Sequence, residues 1–302
     1  MRLLLACLAF WSHLAFGIQP IRVAPDVYAF VGTGGDVNPA NRGFVANSGF
    51  IVGADGIIVI DSGTSYRHGL DMRAAIAKAS RRPIRLVILT HAAQEFIFGA
   101  AAFQELGVPI LAHRKSAELM RARCETCLAR LQRTLGRGFM HGSKVVTPNR
   151  LIDETTALNI AGREINLLSF GWGSSPGDLV VFDRRSNVVF AGGLVSIGRV
   201  PDLRDGELTG WLAALESVER LRATCLVPGF GAPVCPADVG PTRGYLTALD
   251  TAVRARYRSG ASLLDVSRET RLPAFSRWAM YATTHPRNVQ QRFLEVEREE
   301  FH

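Results

Sequence analysis

The chain has 302 residues, 47% of them hydrophobic and 21% charged, which excludes collagen-like, coiled-coil and disordered proteins. Its formal net charge of +8 comes from 35 basic residues, of which only three are lysines. The arginines are scattered along the chain, whereas nucleic-acid-binding proteins concentrate basic residues on one element to follow the phosphates. We therefore expect no nucleic-acid partner.

The N-terminus has the pattern of a secretory signal peptide. A charged start, Met1-Arg2, precedes an apolar run over residues 3–16, and the small residues Ala15 and Gly17 stand before a break. The run is too short to cross a bilayer, which takes about 20 apolar residues. We expect residues 1–17 to be removed, leaving a periplasmic or secreted protein with no transmembrane segment. A buried first strand or helix is the alternative.

Strands and helices alternate through the next part of the chain. Alternating and β-branched residues predict strands, and apolar spacings of three to four predict helices. The predicted strands cover residues 27–31, 49–52, 56–60, 86–89 and 108–112, and the predicted helices cover 68–80, 95–106 and 115–135. Short alternation of this kind is typical of α/β architecture.

The pattern then returns to strands and ends in helices. Predicted strands cover residues 164–168, 179–182, 188–191 and 225–227, and predicted helices cover 208–221, 245–258, 262–269 and 286–300. We expect one domain over residues 18–240 and a helical extension over 241–302. Val289, Phe293 and Val296 follow the helical period, which favours packing against that domain; docking of another protein is the alternative.

Five ordered motifs stand at the ends of predicted strands. They are IVIDSG at 58–63, VILTH at 87–91, SPGD at 175–178, FAGGL at 190–194 and VPGFG at 227–231. Together they resemble the metallo-β-lactamase-fold hydrolases, over about residues 27–236. The resemblance implies a four-layer αββα sandwich, of α/β or α+β class, with a metal site on loops at one edge of two sheets.

The resemblance also implies seven zinc-ligand positions, and this chain has lost most of them. His91 keeps the first position of the family motif His-x-His-x-Asp-His, and Glu95 stands at its aspartate. The other five positions hold Ala93, Phe96, Ser174 (or its neighbour Ser175), Gly193 and Phe230. Because zinc in such sites takes three or more protein ligands, we expect no metal cofactor. Phe96 and Phe230 would instead fill the place of the metal.

The retained polar residues leave alternatives open. Asp61 and Asp178 stand where the family has carboxylates that orient the ligand imidazoles, and without those imidazoles we expect them to cap turns. His91 either bonds a backbone carbonyl or keeps a functional role. A mononuclear zinc site rebuilt around His91 and Glu95 is the alternative to metal loss. Three further histidines are candidates to join it: His68, His113 and His141.

Four cysteines lie beyond the predicted signal peptide, an even number that favours disulfides in an oxidising compartment. Cys225 and Cys235 flank the loop at residues 228–231, and we expect a bridge that pins it. Cys124 and Cys127 have the C-x-x-C spacing of thiol-redox sites. We favour a structural disulfide there, with redox activity or metal capture as alternatives.

Three functions follow. Residues 43–50, 65–69 and 281–288 are similar to the quinoprotein relay system zinc metallohydrolases, which implies a periplasmic accessory protein near alcohol-oxidising enzymes. We favour a non-catalytic accessory that binds a small molecule or another periplasmic protein, because the ligands are lost while the strand-end motifs remain. The alternatives are a metal-dependent hydrolase using His91 and Glu95, and a thiol-redox accessory using Cys124 and Cys127.

Overall fold

Two β-sheets form the centre of the molecule. The computed structural model describes residues 18–300, so the predicted signal peptide lies outside the described residues. The strands, in chain order, are β1 Ile21–Ala24, β2 Val27–Phe30, β3 Ser48–Val52, β4 Ile57–Ile60, β5 Ile84–Leu89, β6 Ile110–His113, β7 Arg150–Ile152, β8 Thr156–Ile160, β9 Arg163–Leu168, β10 Val180–Asp183, β11 Val188–Ser196 and β12 Cys225–Phe230. One sheet has the order β1-β2-β3-β4-β5-β6-β7, and the other has the order β12-β11-β10-β9-β8.

Helices cover the outer faces of both sheets. They are α1 Tyr66–Ala79, α2 Gln94–Ile97, α3 Ala100–Gln104, α4 Arg114–Leu135, α5 Leu208–Arg220, α6 Gly240–Arg258, α7 Leu263–Glu269 and α8 Tyr281–Glu300, with a 3-10 turn at Pro273–Phe275. Helices α1, α3 and α4 pack on the seven-stranded sheet, and α5, α6 and α8 pack on the five-stranded sheet. No helix between residues 18 and 300 has the length and apolar character that crossing a bilayer requires.

The strand sequences account for this layering. Successive side chains of a strand point to opposite faces, so a strand buried on both faces is apolar throughout. In β4, Ile57 and Val59 pack under the helices, whereas Ile58 and Ile60 face the second sheet. The core between the sheets also contains Phe190 of β11. The four-layer αββα sandwich expected from the resemblance is confirmed.

The C-terminal helices belong to the fourth layer. Val289, Phe293 and Val296 of α8 are buried in one core with residues of α5 and α6. The apolar stripe of the last predicted helix therefore packs back on the molecule, as expected.

The structure differs from the predicted elements at two kinds of place. The strands β1, β7 and β8 were not predicted, because they are short and partly exposed and lack a strong apolar pattern. The single helix predicted over 95–106 is divided into α2 and α3. A break occurs at Gly99, where the backbone runs so close to Ser62 that a Cβ would lie 1.8 Å from the Ser62 carbonyl oxygen.

Candidate functional site

A cavity of about 520 Å³ opens where several strands end at one edge of the sandwich. The lining includes all seven positions at which the resemblance implies zinc ligands: His91, Ala93, Glu95, Phe96, Ser174, Gly193 and Phe230. His91 follows β5, Gly193 lies in β11 and Phe230 ends β12. The fold thus gathers side chains that are up to 139 residues apart in the chain.

His91 forms a pair with a buried carboxylate. Its Nδ1 lies 2.7 Å from Oδ1 of Asp178. The same Oδ1 accepts a hydrogen bond from the Ser175 hydroxyl, and Oδ2 accepts from the Ser174 hydroxyl and the Ser175 backbone N–H. Burial lowers the pKa of His91, but the hydrogen bond and charge of Asp178, together with the charges of Asp61 and Glu95, raise it above its usual value. Burial raises the pKa of Asp178, but His91 and the two hydroxyls bring it below its usual value. Asp178 therefore orients His91 as well as closing a turn.

The His91 ring fills the space beside Gly193. A Cβ built on Gly193 would lie 2.6 Å from Nδ1 of His91, which is closer than real Cβ contacts allow. The resemblance places an aspartate at residue 193. An aspartate there would require the imidazole to move, so the loss of that carboxylate and the present position of His91 depend on each other.

Two phenyl rings line the cavity at two of the four other positions where the resemblance implies histidine ligands. Phe96 is fully buried, and its ring contacts both His91 and Phe230 edge-on, with centroids 5.5 Å apart in each pair. The guanidinium of Arg199 lies over the Phe230 ring, with its Cζ 4.2 Å from the centroid. The base of the cavity is therefore aromatic.

Asp61 joins two strand ends, which differs from the turn-capping role we expected. Its carboxylate accepts hydrogen bonds from the backbone N–H and the hydroxyl of Thr90, at 2.8 and 2.7 Å. Burial raises the pKa of Asp61 to about 7, although the Thr90 hydrogen bonds oppose this shift. Asp61 links β4 to β5 and makes no hydrogen bond to His91.

The three other candidate histidines do not join His91. His68 is buried and accepts a hydrogen bond from the Thr64 backbone N–H, and burial lowers its pKa to about 4. His113 caps α4 by accepting from the backbone N–H of Lys115, and His141 is exposed. None of the three lines the cavity. Across residues 18–300, no three His, Cys, Asp or Glu side chains are grouped so as to hold a metal ion.

The cysteine predictions have different outcomes. Cys225 and Cys235 form a disulfide, as expected. Cys124 and Cys127 are free thiols, which corrects the expected second bridge. Both lie within the continuous helix α4, which holds their backbones in helical geometry three residues apart.

The two free thiols line the cavity and differ in acidity. The hydrogen bond with Cys124 lowers the pKa of Cys127, and the charges of Arg130 and Arg204 lower it further, against the opposing effects of burial and Glu95. The same hydrogen bond and burial raise the pKa of Cys124. Cys127 is therefore the more acidic thiol of the pair.

Arginines form much of the cavity rim, which the sequence reasoning missed. The lining includes Arg123, Arg130, Arg133, Arg199 and Arg204. Three of these belong to α4, where spacings of seven and three residues place them near one helix face. Their spacing could have indicated that these arginines lie on one face of α4, but the sequence does not show which face borders the cavity.

Comparison with known proteins gives one family and several structural neighbours. A family model described as the Metallo-beta-lactamase superfamily matches residues 41–229. No curated protein sequence gives a significant match.

The structural neighbours share the sandwich. The sec-alkylsulfatase Pisa1 from Pseudomonas sp. matches with a TM-score of 0.68 and 18% identity, over 92% of this chain and 50% of its own. Metallo-beta-lactamases from Pontibacter korlensis and Hirschia baltica match with TM-scores of 0.61 and 0.60, each at 19% identity over 76% of this chain. They are covered over 98% and 97% of their own lengths, respectively. At these identities the likeness concerns the fold alone.

Proposed function

The chain belongs to the metallo-beta-lactamase superfamily, and from this premise we propose that it is a non-catalytic member that binds a ligand in its cavity without zinc. The observation that carries the proposal is the position of the His91 ring, which occupies the space beside Gly193. The His91 imidazole is bound to Asp178, and the phenyl rings of Phe96 and Phe230 stand at two of the positions where the family has histidine ligands.

The donor set supports this proposal. His91 and Glu95 are the two side chains at the seven positions that bind zinc well, whereas stable zinc sites take three or more protein ligands. These residues do not fit a resident zinc ion, and the cavity is a place to hold a small molecule.

We also propose that the protein is a periplasmic accessory of quinoprotein dehydrogenase systems. The support is the resemblance of three segments to that branch, the signal-peptide pattern and the Cys225–Cys235 disulfide. The exported protein should begin at or near residue 18, and it should form a complex with a quinoprotein alcohol dehydrogenase of the same cell. An N-terminus that retains residues 1–17 would count against secretion.

Metal content tests the central proposal. The wild-type chain and a His91→Ala variant are purified without tag or chelator, incubated with zinc and dialysed, and their metals are measured by elemental analysis. We expect far less than one metal ion per chain in both proteins. Stoichiometric zinc in the wild type that is lost in His91→Ala, together with metal-stimulated esterase or lactamase turnover, would establish the mononuclear hydrolase instead.

Thiol chemistry is the second candidate function, favoured by the free, acidic Cys127 in the cavity wall. Alkylation of Cys127 by iodoacetamide should reach half its maximal rate below pH 8.5, the usual pKa of a cysteine. Cys124→Ala should shift the profile to higher pH, because it removes a hydrogen-bond donor to the thiolate. If the alkylation rate depends on pH as it does for an ordinary cysteine in both proteins, thiol chemistry is excluded as the function.

A further inference from the structure

We propose that the cavity binds a small amphipathic organic anion, whose charged group contacts Arg130, Arg133 and Arg199 and whose apolar part lies on Phe230. The inference deepens the proposed function, since it names the class of ligand for the same cavity. Three independent features of the lining carry it: unpaired cations, an unpartnered buried hydroxyl, and apolar walls.

Arg199 is a half-buried cation without a counter-ion. It donates hydrogen bonds through one nitrogen to the carbonyl oxygens of Gly34 and Gly35. In the described part of the chain, no carboxylate forms an ion pair with it, and burial lowers its pKa. An anion in the cavity would supply the missing charge and the acceptors for its remaining N–H groups.

Helix α4 adds two more unpaired cations. Arg130 donates to the side-chain oxygen of Gln94 at 2.9 Å, and no described residue forms an ion pair with Arg130 or Arg133. By contrast, the lining arginines Arg123 and Arg204 have counter-ions: Arg123 pairs with Asp205, and Arg204 pairs with both Asp202 and Asp205.

One lining carboxylate opposes the unpaired cations. Glu95 accepts a hydrogen bond from Gln94 Nε2 at 3.1 Å and forms no ion pair with a described residue. Its charge acts on Arg199, as do the charges of Asp36 and Asp202. Three unpaired guanidiniums against the unpaired Glu95 leave the lining with an excess of positive charge, which favours an anionic ligand.

Ser196 provides an independent sign of a missing ligand. It lines the cavity and is 2% exposed, and its hydroxyl oxygen has no hydrogen-bond partner among the described residues. Its backbone N–H and carbonyl are both bonded to the hydroxyl of Thr242, so only the side chain is unsatisfied. Buried hydroxyls nearly always have a partner, which a ligand oxygen or a ligand-bound water would supply here.

The remaining walls fit an apolar group. Phe230, Leu119, Val200 and Trp211 line the same cavity. Its volume of about 520 Å³ lies within the range of small-molecule sites. A ligand with a short hydrocarbon or aromatic part and one oxyanion would use both the aromatic base and the arginines.

Calorimetric titration with a matched series of six-carbon probes tests the inference. Hexanoate, hexyl sulfate and hexyl phosphate carry the anion on an unbranched alkyl tail of similar length, and they distinguish the kinds of oxyanion. Hexanol and hexylammonium control for the tail and for the sign of the charge. We expect at least one anion to bind about tenfold or more tightly than hexanol, and hexylammonium to bind no better than hexanol.

Variants show which groups carry the binding. Arg199→Gln, and Arg130→Gln combined with Arg133→Gln, should each weaken the preferred anion about tenfold and leave hexanol binding within about twofold of wild type. Ser196→Ala should weaken it severalfold. Arg185→Gln is the matched control, because Arg185 is an exposed arginine near the opposite end of β11, and it should have no effect.

The outcomes separate this inference from the proposed function. Equal binding of hexanol and the anions, or anion binding that is insensitive to the arginine variants, would overturn the anion site even in zinc-free protein. Stoichiometric zinc in the purified protein would overturn the zinc-free proposal, whereas arginine-dependent anion binding would still support the inferred ligand class. Loss of binding in Arg185→Gln as well would mean that the effect is general surface charge, and this too would overturn the site.

Discussion

At the scale of single residues, the site depends on which group occupies the space beside residue 193. Where the family has an aspartate, Gly193 leaves room, and the His91 imidazole fills it and binds Asp178. Asp178 is held in turn by Ser174 and Ser175. His91 is therefore part of a buried polar network.

Gly193→Ala tests whether the His91 ring needs this space. The added Cβ would lie within 3 Å of three ring atoms of His91, so we expect a loss of about 1–3 kcal/mol in the free energy of unfolding. Gly138→Ala is the control, because nothing lies within 4 Å of a Cβ at that glycine. Urea-induced unfolding measures both. Equal stabilities of the two variants would show that the His91 ring moves aside without cost.

The His91–Asp178 pair predicts a dependence of stability on pH. Asp178 has a lowered pKa in the folded chain. Its contribution to the free energy of unfolding is therefore present above about pH 3.9 and is lost as the pH falls through its pKa in the folded chain. His91 has a raised pKa, so its contribution is complete below about pH 6.5 and is lost as the pH rises through the folded value. The pair is therefore most stabilising between these limits.

Asp178→Asn should remove this dependence. We expect it to lower the free energy of unfolding by about 3 kcal/mol at pH 5.5, and by less at pH 8.5, because the pair is largely buried. Chemical unfolding at the two pH values provides the measurement. A loss that is the same at both values would mean that His91 does not change its charge between them.

At the scale of elements, helix α4 and the end of β12 determine the character of the cavity. Helix α4 brings two thiols and three arginines to the wall. The Cys225–Cys235 disulfide closes a loop that contains Phe230, and the Phe230 ring packs against the guanidinium of Arg199. One helix and one disulfide-closed loop thus supply much of the cavity wall.

Reduction of the disulfide tests the pinned loop. The chain-entropy model gives about 2–3 kcal/mol for closing a loop of this length, and we expect reductant to lower the free energy of unfolding by that amount. A variant with Cys124→Ser and Cys127→Ser should respond equally, since those thiols are already free. If reductant affects only the chain that keeps Cys124 and Cys127, the relevant bridge involves that pair.

At the scale of the whole molecule, a buried arginine ties the two sheets together away from the cavity. Arg163 of β9 is 3% exposed, and its Nη2 donates a hydrogen bond of 2.8 Å to the backbone carbonyl of Val52 in β3. It also pairs with Asp183 of β10 at 3.3 Å. The first sheet is thus bonded to the second by one side chain, and Asp183 obtains its counter-charge from that residue.

Arg163→Met should be strongly destabilising, by about 3–5 kcal/mol, because it leaves the Asp183 carboxylate buried without its partner. Arg163→Met combined with Asp183→Leu should recover much of that loss. Arg184→Met is the surface control, since Arg184 and Glu164 are both exposed and such pairs contribute about 0–1 kcal/mol. Equal effects of Arg163→Met and Arg184→Met on urea unfolding would contradict a linking role for Arg163.

Much of the fold could be predicted because its signals are local. The strand-end motifs and the apolar runs of β4 and β5 can be read from neighbouring residues, and the family resemblance that the motifs carry implied the sandwich and the seven ligand positions. The edge strands β1, β7 and β8 were missed because their pairing depends on partners elsewhere in the chain. The break at Gly99 was missed because it depends on contact with Ser62.

By itself, the sequence determined which side chains stand at the former ligand positions, since Phe96, Gly193 and Phe230 can be read directly and donate nothing to zinc. The tertiary structure alone decided which way the His91 ring points, that Cys124 and Cys127 stay unbridged, and which arginines border the cavity without an ion pair. The reason is physical. Chemical identity belongs to each residue, whereas the direction of a side chain, its counter-ion and its solvent exposure are set by residues that only the folded chain brings near.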